Sequence, residues 1–155
     1  MKMFVWVLLA VLAVVFISSS AIAVEIPPAD QISNNLIKDY GSWSNNKRST
    51  EFEISYTSYG IEKTSSTSVF VSGTTETNQT AGRVGVLITV QQWDNNRWNN
   101  YKSTSDREYS STKCSHSDTI TVASGYYYRI KVTHTATDNF VDRTLYSYSK
   151  SIFVN

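Results

Sequence analysis

Two tryptophans, Trp93 and Trp98, bracket the run Asp94-Asn95-Asn96-Arg97, and polar residues lie beyond them at Gln91, Asn100, Thr89 and Lys102. A tight antiparallel turn at Asp94 to Arg97 sets Trp93 opposite Trp98, Gln91 opposite Asn100 and Thr89 opposite Lys102, all on one face. Indoles stack on the flat faces of sugars, and amide and ammonium groups bond their hydroxyls, so this grouping reads as a glycan-binding platform. The competing reading is structural, because cross-strand aromatics also stabilise a hairpin by roughly 0.2 to 1 kcal/mol. A loop one residue longer reverses the faces.

Other chemistry-bearing residues form weaker groupings. Cys114 and His116 share a face if their segment is extended, and His134 ends a core-facing row, but a closed zinc site needs four ligands and no metal is expected. Asp138, Asn139 and Asp142 read as turn residues rather than calcium ligands. Glu51 and Glu53 share a strand face, the ordinary condition of a solvated surface. There is no nucleophile elbow, phosphate-cradling glycine loop or His-Glu-x-x-His sequence, so a non-enzymatic protein without a cofactor is expected.

Strands must position these groups. Phe52, Ile54 and Tyr56 alternate with Glu51, Glu53 and Ser55, and a β-branched run follows within Ser66 to Thr77. After a turn over Asn78 to Gly82, Val84, Val86, Ile88 and Val90 claim the core side of the first Trp strand, which directs the Trp pair outward and Tyr101 inward, opposite Val90. The return strand runs from Trp98 to about Thr104, and Ser105 to Ser117 reads as polar and irregular, with a short hidden edge strand as the alternative. Strands are then expected over Asp118 to Val122 and over Tyr126 to Thr137, where Tyr126, Tyr128, Ile130 and Val132 face inward. A last strand around Thr144 to Val154 groups Tyr146, Tyr148, Ile152 and Val154 on one side. About seven alternating strands and no long amphipathic helix indicate an all-β, antiparallel two-sheet sandwich, with a small barrel as the alternative.

The 155-residue chain opens with Met1-Lys2, an apolar run from Met3 to Ile17, and Ala21-Ile22-Ala23, a signal-peptide pattern cleaved after Ala23. Secretion is the expectation, with an uncleaved membrane anchor as the alternative. Residues 24–49, with Pro27-Pro28 and scattered apolar positions, read as a flexible segment, and 50–155 as the folded domain. The formal net charge of +1 excludes the basic signature of a nucleic-acid binder. A single cysteine, Cys114, excludes an internal disulfide and leaves a disulfide-linked dimer open.

The stretch Ile120 to Val132 resembles the corner between strands E and F of immunoglobulin-like and fibronectin type III domains. Val122 stands at the apolar position, Gly125 at the glycine, Tyr128 at the corner tyrosine, and Ile130 and Val132 at inward positions, with Ser124 departing from the usual proline. The resemblance implies an immunoglobulin-like fold. Gly125 can supply a positive φ, and the Tyr128 hydroxyl a bond back to the backbone. Gly125 to Arg129 with His134 also resembles a family of small exported Gram-positive bacterial proteins of uncharacterised function. That resemblance implies export and a bacterial source, and makes the strand pair around Trp93 and Trp98 a family feature. The expected function is a secreted binding module for cell-wall or surface glycan, or another cell-envelope component. A secreted antibacterial or toxin-like protein and an extracellular protein-interaction or matrix module are the alternatives.

Overall fold

The computed structural model describes residues 27–28, 37–45 and 49–155. The expected signal segment lies outside the described residues. Those described form seven strands and no helix: β1 (Lys38–Ser44), β2 (Ile54–Ser65), β3 (Ser68–Asp94), β4 (Arg97–Thr121), β5 (Tyr126–Asp138), β6 (Val141–Tyr148) and β7 (Ile152–Val154). All pairings are antiparallel. The expected all-β class is therefore found.

β3 and β4 make one long hairpin that serves both layers. Its register is interrupted between Glu76 and Ala81, and Ser110 of β4 has φ +49° at the same level. A bulge adds residues to one strand without ending the ladder, so the strand bends while its partner follows. This is why the turn expected at Asn78 to Gly82 and the irregular stretch expected at Ser105 to Ser117 are both continuous strand. The first half of β3 pairs with β2 and with the end of β4, and the second half with β5 and the start of β4. The halves then pack face to face. A Cβ added at Gly73 would lie 2.8 Å from Val86 Cγ2 and 3.1 Å from Val132 Cγ1.

The result is a strongly curled sheet, sandwich-like in section and open along one side. β1, β2, the first half of β3 and the end of β4 form one layer, while the start of β4, the second half of β3, β5, β6 and β7 form the other. Two bent strands, β3 and β4, run through both layers, and within the first layer each strand pairs with the next in sequence. Between the end strands β1 and β6, Arg143 Nε donates to the Phe52 carbonyl at 3.0 Å, and the Lys150 amide donates to Asp39 at 2.9 Å. The core between the layers is aliphatic, built on Ile61, Val71, Val86, Ile88, Ile130 and Val132. Each such side chain contributes roughly 1.5 to 3 kcal/mol on full burial.

The chain crosses between layers over residues 122–125. Gly125 has φ +89°, which an L side chain would strain. The buried Tyr128 hydroxyl donates to the Ala123 carbonyl at 2.9 Å and accepts from Gln92 Nε2 at 3.1 Å. Burial pushes its pKa up to about 12.

Two expectations about extent need correction. β1 lies inside residues 24–49, read above as a flexible segment; it pairs with β2 from Lys38↔Glu62 to Ser44↔Tyr56. The final strand is two strands, because the chain breaks at 149–151. Ile152 and Val154 are buried against β5, whereas Tyr146 and Tyr148 are exposed.

Candidate functional site

The candidate surface is the outer face of the layer formed by β4, β3, β5 and β6. Alternation with Val84, Val86, Ile88 and Val90 inside places Arg83, Gly85, Leu87, Thr89, Gln91 and Trp93 on it, and the register carries that face to neighbouring strands.

At its end, Asn95 and Asn96 have φ +54° and +57°, which a two-residue type I′ turn requires and Asn tolerates. The turn sets Trp93 opposite Trp98 and Gln91 opposite Asn100. The Thr89–Lys102 pairing does not form. A bulge at Tyr101 moves Lys102 opposite Val90 and brings Ser103 opposite Thr89, with Ser103 Oγ donating to Thr89 Oγ1 at 3.0 Å. The bulge also leaves Tyr101 43% exposed at the rim, its ring edge against the inward-facing Tyr128 at 5.7 Å.

The expected open indole platform is corrected too. Trp93 is only 7% exposed, and Trp98 meets it edge-on with ring centroids 5.2 Å apart. The Trp93 indole N–H is buried with no acceptor among the described residues. Gln91 is engaged at both ends of its amide: Nε2 donates to Asn100 Oδ1 at 2.9 Å, and Oε1 accepts from Arg129 Nε at 2.9 Å. These residues form the foundation of the surface rather than its contact layer.

The contact layer alternates cations and rings. The Arg129 guanidinium lies 4.4 Å from the Trp98 ring centroid and 5.2 Å from that of Tyr148. Lys131 Nζ lies 4.6 Å from the centroid of Tyr146 and 6.0 Å from that of Tyr148. Such contacts contribute about 0.5 to 1 kcal/mol each at exposed sites and hold flexible cations in place. Burial lowers the Arg129 pKa, while the Tyr148 hydroxyl acts in the opposite sense. Sequence alternation missed Tyr146 and Tyr148 because it carried their parity through the break; the polar run Ser149-Lys150-Ser151 was the available signal.

Charge on this face is segregated. By register it carries Arg83, Arg107, Arg129 and Lys131 against one carboxylate, Asp142. The chain as a whole is nearly balanced, so the imbalance comes from strand register and not from composition.

The remaining candidates are occupied elsewhere. Cys114 is 1% exposed, and burial raises its thiol pKa. His116 Nε2 lies 2.6 Å from Thr104 Oγ1, and His134 is enclosed between Thr75 and Ser147. Among the described residues no three His, Cys, Asp or Glu side chains are grouped to hold a metal. No protein-family model, curated protein or solved structure matches the chain.

Proposed function

We propose that the protein is a secreted, non-enzymatic binding module that recognises an anionic glycan of the cell envelope through this outer face. The observation that carries the reading is the segregation of Arg83, Arg107, Arg129 and Lys131 against Asp142 alone, beside rings suited to sugar contact. Cations already held by aromatic neighbours lose little side-chain freedom on binding, which favours recognition by a preformed surface.

Titration of the purified protein with a polyuronate or a polyol-phosphate polymer is expected to change indole fluorescence through Trp98. Arg129→Gln should weaken binding about tenfold, and added salt should weaken it further. Equal binding of a neutral glucan, or no response to either anionic polymer, would overturn the proposal.

A further inference from the structure

On the same face, Gly85 leaves a hollow of about 300 Å³ between β4 and β5, at the small end of ligand pockets. Arg83 and Arg107 border it, with Ser105, Thr133 and Thr135 contributing hydroxyl-bearing walls. The missing side chain makes the space: a Cβ at Gly85 would lie 2.8 Å from Thr135 Oγ1 and 3.8 Å from Arg107 Cβ.

The electrostatics of the hollow are one-sided. Arg83 is steadied by donation from Nη2 to Thr137 Oγ1 at 3.2 Å, and Arg107 crosses from the opposite strand by pairing with Gly85. Among the described residues neither guanidinium forms an ion pair. Asp106 borders the hollow through its backbone carbonyl, 3.5 Å from the Gly85 Cβ position. Its carboxylate is turned to other partners, accepting from the Arg107 amide at 2.8 Å and lying 4.0 Å from His116 Nδ1. With one Arg83 N–H given to Thr137, the two bordering guanidinium groups keep up to nine N–H donors and carry no acceptor, a set that suits an oxyanion.

We propose that this hollow is the oxyanion subsite of the face: it seats the phosphate or carboxylate of a sugar or polyol residue, whose hydroxyls meet Ser105, Thr133 and Thr135. The inference rests on the reading of the face as a binding surface for an anionic glycan. Geometry favours a polymer over an isolated ion. The row containing Gly85 lies four residues, about 13 Å, along the strands from the row containing Lys131, so successive charges of one chain can meet both.

The test is an amide-resolved NMR titration of the purified protein with glycerol 3-phosphate, glucuronate, inorganic phosphate and glycerol. Saturable shifts are expected at Gly85, Ser105, Arg107, Thr133 and Thr135. Arg83→Gln and Arg107→Gln should each weaken binding about tenfold, with Arg107→Lys retaining part of it. Preference for glycerol 3-phosphate identifies a phosphodiester polymer as the source, and preference for glucuronate a uronate polymer. Unchanged affinity in both Gln variants overturns the subsite, as does binding of inorganic phosphate or glycerol as tight as that of glycerol 3-phosphate. The two proposals fail separately. If Arg129→Gln abolishes polymer binding while both hollow variants retain it, the subsite falls and the face stands. If the hollow takes the small ligand but the protein binds neither polymer, the face reading falls, and the hollow stands as a site for a small anionic sugar or polyol alone.

Discussion

Acid should destabilise this protein through His134. The imidazole is fully buried between the layers. Thr75 Oγ1 donates to the Gly85 carbonyl at 3.1 Å, so at 2.9 Å it accepts from His134 Nδ1–H; Nε2, 3.1 Å from Ser147 Oγ, accepts from that hydroxyl. This arrangement suits the neutral ring. Burial lowers the His134 pKa from 6.5 to about 4, partly opposed by the Thr74 backbone. The unfolded chain therefore binds one more proton than the fold between these values, and stability falls as pH falls through that window. The loss amounts to about 2 kcal/mol by pH 5 and about 3 kcal/mol by pH 4, relative to pH 7.5. Urea denaturation at pH 7.5, 6.0 and 5.0 measures it. His134→Asn keeps a donor toward Thr75 but cannot titrate; it should cost about 1 to 3 kcal/mol at pH 7.5 through the lost Ser147 contact and a small void. Its stability should then vary far less between pH 7.5 and 5.0. A wild-type midpoint that holds constant over this range, or a variant with the wild-type slope, would refute the reasoning.

Two further perturbations address the corner and the turn. Tyr128→Phe leaves the Ala123 carbonyl and the Gln92 amide without their hydroxyl partner and should cost about 1 to 3 kcal/mol in urea denaturation, a near-zero change refuting the corner's contribution. Trp93→Phe removes a buried N–H that has no acceptor, which offsets the lost ring area. Its stability should stay within about 1 kcal/mol of wild type, and a larger loss would mean that the indole N–H is satisfied.

The hairpin was legible in the sequence because its determinants are local. Asn95 and Asn96 admit positive φ, and the valines from Val84 to Val90 fix the inner face, which together give the Trp93–Trp98 and Gln91–Asn100 pairings. Only one step further, the bulge at Tyr101 reversed the faces, and nothing in the polar run Asn99 to Ser105 marks it. Asn78 to Gly82 has turn composition, yet β4 stays beside β3 across it, so the segment bends where composition suggested that it stops. β1 escaped notice because Lys38 to Ser44 is polar and largely exposed, an edge strand held by backbone pairing to β2 rather than by an apolar face. The proposed subsite was illegible for a different reason. Arg83, Arg107 and Thr135 are far apart in sequence, and only the registers across β3 bring them around Gly85.

The shared hairpin has a mechanical corollary. One continuous ribbon is both floor and roof of the core, so neither layer can slide on the other without breaking ladder bonds in the same two strands. Shear is blocked by covalent continuity as well as by side-chain interlock. On the proposed reading, a ligand on the exterior would meet a stiff chassis, and little of its binding energy would be diverted into ordering the surface beneath it.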